Sequence, residues 1–147
     1  MRFLRASLLL LVLLLLLASG CGKSATLVPV SGRVMLDNKP LAKAKVQFAP
    51  ANPEGDPKLS PVSLGETDEQ GNFTLKTLDG RDGAVPGQHK VEISKFDRDA
   101  TIIKGGVVVA EGVERVPEDY NIKSKLTFTV PEGGTKEANF LDLKGGR

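Results

Sequence analysis

The sequence predicts an all-β sandwich of several short strands. Period-two runs of apolar residues recur along the chain, and glycine and proline corners separate them at short spacing. No stretch beyond residue 20 holds the 3.6-residue period of an amphipathic helix.

The first run sets Val28, Val30, Gly32, Val34 and Leu36 on one side and Pro29, Ser31, Arg33 and Met35 on the other. Strict alternation of this kind is what a half-buried strand requires. Asp37-Asn38-Lys39-Pro40 is turn chemistry, and Ala44, Val46 and Phe48 then oppose Lys43, Lys45 and Gln47 in a second strand. Pro50, Pro53, Pro57 and Pro61 make residues 50 to 61 a loop. Val62 to Glu66 is a further strand leading into a tight turn over residues 67 to 72, after which Phe73 and Leu75 alternate with Thr74 and Lys76.

A glycine-rich corner from Asp79 to Gly87 precedes His89, Val91 and Ile93, which alternate with Lys90, Glu92 and Ser94. Leu126, Phe128 and Val130 define another strand. The last, around Ala138 to Leu143, changes phase, with Phe140 on one side and Leu141 and Leu143 on the other, which suits a bulge. Between Asp97 and Lys125 the pattern is weak: Ile102-Ile103 and Val107 to Val109 read as one hairpin around Gly105-Gly106, and Pro117 to Asn121 as a single helical turn or irregular crossing.

Ahead of all this, Arg2 and Arg5 precede the apolar run Leu8 to Leu17, and Ala18, Ser19 and Gly20 follow it. That is the order of a cleaved export signal, and the run is about half the ~20 apolar residues of a membrane span. Residues 1-20 are therefore read as a signal peptide, 21-26 as a modified cysteine and tether, and 27-144 as the folded domain. Without Arg2 and Arg5 the count of 20 basic side chains falls to 18, against 18 acidic ones. A neutral chain with scattered lysines argues against nucleic acid as a partner.

Ala18-Ser19-Gly20-Cys21 resembles the bacterial lipobox, with Ala18 where leucine is more usual. The resemblance implies acylation of the Cys21 sulfur by fatty chains such as palmitate, cleavage before it, and anchoring to a bacterial cell membrane on its periplasmic or surface face. Two or more chains anchor stably where one is marginal.

Residues 30 to 48, 67 to 75 and 85 to 93, with Pro117 to Asn121, Leu126 to Phe128 and Asn139-Phe140, resemble carboxypeptidase regulatory-like domains in their order and spacing. The family implies a transthyretin-like Greek-key sandwich of about seven strands, an accessory or structural module without activity of its own. Some pilin-type and adhesin relatives carry a Lys–Asn isopeptide crosslink, but the lysine position here is Arg33 and the carboxylate position Ile93, so the crosslink is rejected. The hydroxyisourate hydrolases of this fold use several histidines and a Tyr-Arg-Gly-Ser ending, whereas this chain ends Leu-Lys-Gly-Gly-Arg.

No catalytic set emerges. Cys21 is the sole cysteine and His89 the sole histidine, so a thiol–imidazole pair has one member on a tether and the other inside a strand. An intermolecular disulfide through Cys21 is the other alternative to lipidation. The same scarcity leaves no zinc set and no metal or cofactor site is expected. Asp68, Glu69 and Asn72, or Asp79 and Asp82, supply oxygen atoms without the spacing of a calcium loop and read as solvated turns.

The expected partners are the membrane, through lipid on Cys21, and an envelope protein, since a small sandwich offers edge strands for pairing. A carbohydrate-binding module is the alternative. Sugar platforms rely on exposed aromatic rings, and beyond residue 20 there is no Trp, five Phe and one Tyr, so Tyr120 is the candidate ligand contact.

Overall fold

The computed structural model describes residues 24–145 except 54 and 57. The proposed leader and Cys21 lie outside the described residues. Along β1 (Ser31–Leu36) the alternation becomes burial: Val30, Gly32 and Val34 face inward, Ser31 and Arg33 outward. Asp37 and Asn38, with φ of 51° and 62°, form a two-residue turn whose twist suits a hairpin, and Lys39–Pro40 (β2) returns against Met35 and Leu36. The tetrapeptide expected to be wholly turn therefore gives half of itself to a strand.

β3 (Lys45–Pro50) buries Val46 and Phe48, and β4 (Ser63–Glu66) pairs with it antiparallel. The next apolar alternation is one stretch in sequence and two strands in space. Asn72–Thr74 (β5) pairs with β1, while Lys76–Thr77 (β6) pairs with β4. Leu75 is the buried hinge between them, its N–H donating to the Val30 carbonyl at 2.9 Å and its carbonyl accepting from Gly83 N–H at 2.7 Å. The chain thus crosses from one sheet to the other without a loop, which stitches the two layers along one side.

β7 (Gly87–Ser94) lies inside the second sheet, one strand in from its edge. β8 (Phe96–Lys104) and β9 (Val107–Glu114) form a separate hairpin, and a single 3₁₀ turn, Glu118–Tyr120, leads to β10 (Thr127–Val130). β11 (Phe140–Leu143) closes the chain.

The first sheet centres on β1, with β11 parallel on one edge and β2 and β5 on the other. The second runs β10-β7-β3-β4-β6, antiparallel throughout. Their inward residues share one core: Phe48 from the second sheet meets Phe73 and Phe140 from the first at ring-centroid separations of 6.3 and 6.2 Å. The described residues are all-β, with two sheets over a common core and the β8–β9 hairpin as a third, separate sheet.

The expected bulge in the last strand is present, since Val34 pairs with Phe140 but Leu36 with Leu143. Its effect differs from the phase expected. Phe140 and Leu143 both face the core and Leu141 is exposed, because the extra residue turns the strand between them.

Candidate functional site

The feature that does not serve the core is the β8–β9 hairpin. Gly105 and Gly106, with φ of 58° and 79°, make the two-residue turn, and Lys104 pairs with Val107 beside it. Register shifts between Asp97 and Thr101, and again between Ile102 and Ile103, show a bulge on each side of the ladder. The hairpin forms a two-stranded sheet of its own, so both outer edges are unpaired among the described residues.

Its side chains are those of a strand interior displayed to water. Phe96, Ile102, Ile103, Val107, Val108 and Val109 are exposed, with Ile103 and Val107 at 62% and 64%. Neighbouring residues point to opposite faces of a strand, so exposure of the Ile102-Ile103 and Val107-Val108 pairs means that both faces of the ribbon are open. Exposed apolar surface gathered in this way marks an interaction site more often than scattered apolar residues do.

The base of the ribbon is fixed by Glu114. Its carboxylate accepts from Lys95 N–H at 2.7 Å, from Val116 N–H at 2.9 Å and from the Ser94 hydroxyl at 2.6 Å. Arg115 N–H donates to the Lys95 carbonyl at 2.9 Å, and its guanidinium reaches Asp97 at 2.8 Å, which holds that carboxyl below its usual range. These bonds aim the hairpin from the Ser94 end of β7. Thr26 lines one concavity with Gly87 and Gln88 at the other end of that strand. With seven steps of about 3.3 Å each, the two ends of β7 stand roughly 23 Å apart.

An open concavity of about 660 Å³ lies beside β1 and β5, lined by Ser31, Arg33, Glu66, Asn72, Lys136 and Asn139 among others. It is polar and carries both signs of charge, without an exposed aromatic floor. Arg33 spends its Nε–H on the Gln70 carbonyl at 2.9 Å.

The remaining sequence candidates occupy separate places. Tyr120 is half-buried in the 3₁₀ turn, packs against the core, and its hydroxyl accepts from Lys144 N–H at 3.3 Å. His89, expected to be half-buried, is fully enclosed, because its position in β7 faces Phe48 rather than the rim. Ile93 is likewise in the core. The carboxylate of Asp68 accepts from Gln70 N–H, Asn72 N–H and the Asn72 amide at 2.9, 2.8 and 3.1 Å, and those donors hold it below its usual range. Glu69 turns to Lys43 instead, at 3.7 Å. Asp79 takes the Thr77 hydroxyl and Arg81 Nε–H, while Asp82 pairs with Lys76 at 3.1 Å. Each of these carboxylates has a donor or cation of its own, and among the described residues no group of three or more His, Cys, Asp or Glu converges.

Sequence reading caught the tip of the hairpin but not its length. A ribbon with neither face buried has no reason to alternate apolar and polar residues, and its bulges break the period that remains. The usable signal was the β-branched pair and triplet flanking Gly105-Gly106.

No family model matches the chain, and no curated protein matches it. Among solved structures, a 9R-lipoxygenase from Cyanothece PCC8801 aligns at 15% identity over 86% of this chain and 18% of that one, with a TM-score of 0.31.

Proposed function

We propose that the chain is an exported, non-enzymatic protein anchored by lipid on Cys21 to a bacterial cell membrane, and that its sandwich is a structural or protein-interaction module. The observation that carries the interaction part is the β8–β9 hairpin, a ribbon with apolar residues on both faces and two unpaired edges. Unpaired edges and β-branched side chains are the elements of strand addition by a partner. The order of residues 1 to 23 carries the anchoring part.

The finer fold reading for residues 27–144 is the transthyretin-like Greek key of carboxypeptidase regulatory-like domains. It is supported by the strand count of the two packed sheets, which is seven when the sheet-switching β5–β6 is counted as one and the two-residue β2 and the separate β8–β9 hairpin are left out. The carbohydrate alternative has less behind it: the polar concavity lacks a stacking ring, and Tyr120 is engaged with Lys144.

A photo-crosslinking residue at Val108, in intact envelopes, should give discrete adducts that the same residue at exposed Thr127 does not give. Ile103→Lys and Val108→Lys, made singly because the two residues face each other across the ladder, should each abolish productive docking while changing stability by no more than about 0.5 kcal/mol, as expected for surface substitutions. Equal adducts from both positions, or docking unaffected by either lysine, would remove the hairpin from the account.

A further inference from the structure

We propose that His89 is an acid-sensitive lock on the second sheet, and that protonating its ring releases edge strand β10 from β7. The ring is fully buried, 5.7 Å from Phe48 between ring centroids, with Phe128 of β10 and Pro50 of β3 in direct register beside it. Nδ1 lies 3.0 Å from the Gly87 carbonyl, which can only accept, so the ring's proton sits on Nδ1. Nε2 is then a lone pair among apolar groups, with no partner.

A second proton must go to Nε2. It would create a buried N–H and a buried charge together, with no acceptor and no counter-charge, and burial accordingly pushes the His89 pKa down. The surrounding elements offer nothing to relieve it. On β7, Lys90 and Glu92 point to the other face, paired with each other at 2.7 Å. On β3 the charged residue is Lys45, exposed, and β10 has none, its outward residues being Thr127 and Thr129. Glu132 after β10, Glu118 and Asp119 in the 3₁₀ turn and Asp142 on β11 are all exposed. The other buried polar residues, Ser63, Thr67, Thr77 and Ser124, carry no charge.

The charged ring therefore reaches water by local opening. β7 is held between β3 and β10, whereas β10 is four residues long and, among the described residues, pairs with β7 alone. Lifting β10 is the smallest movement that solvates Nε2, and it uncovers Phe48 and Phe140, which Phe128 touches at 5.7 and 6.3 Å.

A lowered folded-state pKa means that the unfolded chain binds the extra proton more readily. The stabilisation is present above the unfolded value of about 6.5 and is lost as pH falls through it, by up to tenfold in the folding constant per pH unit. The depressed carboxyls Asp68, Asp79 and Asp97 act below about pH 5, so the window from 6.5 to 5 isolates His89.

Urea midpoints and amide exchange of the purified protein should be followed from pH 7.5 to 5, beside His89→Leu and His89→Gln. The wild type should weaken across that window, with intrinsic-rate-corrected exchange rising at Thr127–Val130 before β3. Both variants should be flat. Ring-proton NMR of the wild type gives an answer even where a variant does not fold. A native-state titration near 6.5 with no change in β10 exchange would overturn the lock, as would equal pH dependence in either variant.

Discussion

Phe48→Ala should cost about 4 kcal/mol, the middle of the range for removing a buried aromatic ring. Phe48 is fully buried, and its ring stands 6.3 Å from Phe73, 5.7 Å from Phe128, 6.2 Å from Phe140 and 5.7 Å from His89. It belongs to the second sheet, and two of those partners belong to the first, so the cavity would open at the contact between layers. Transfer from water accounts for about 2 to 3 kcal/mol of the loss. Lost aromatic contacts, worth about 0.5–1.5 kcal/mol each, and incomplete collapse around four rigid rings supply the rest. Set against a total stability of about 5–15 kcal/mol, the variant should be marginal at 37 °C. Phe48→Leu should recover more than half of the deficit, read as the urea midpoint of each variant at neutral pH.

Gly32→Ala should cost about 3 kcal/mol or more, though it adds one methyl group. Between the Val30–Thr135 and Val34–Phe140 pairings the chain takes five steps against four, and the surplus carries the Ala138 carbonyl onto β1. A Cβ at position 32 would stand 2.0 Å from that oxygen. Alanine in a strand gains roughly 0.5–1 kcal/mol over glycine in backbone entropy, far less than shifting a buried backbone costs. Gly32→Val should not fold. As a control, Gly133→Ala meets no atom within 4 Å of its Cβ and should be neutral by the same denaturation assay.

Those two positions show what the sequence exposes and what it hides. Val30, Val34, Val46, Phe48, Val91 and Ile93 announced themselves because each lies on a strand with one face buried, where period two is obligatory. The break at Leu75 was silent. A strand that changes sheets keeps the same alternation on both sides of the change, since both halves face one core. Gly32 looked like a missing side chain in an apolar row. Its purpose depends on Ala138, more than a hundred residues away, and no local pattern records that contact.

The candidate site was legible in a different measure. The hairpin's tip showed through Gly105-Gly106 and the β-branched residues around it, but its base did not. Glu114 anchors the ribbon by accepting bonds from Ser94, Lys95 and Val116, which looks like any acidic residue in a strand of mixed composition. Tyr120 drew attention as the sole tyrosine, yet its hydroxyl is bound to the backbone of the last strand's exit. His89 drew attention as the sole histidine, and its significance lies in enclosure rather than in reach toward a substrate.

The most direct test of the account is metabolic labelling of the full chain with a clickable fatty acid. It should tag the wild-type protein in the membrane fraction, and Cys21→Ser should lose both the tag and the membrane association. A tag that persists in Cys21→Ser, or a wild-type protein that takes none, would contradict the anchor on which the proposed function rests.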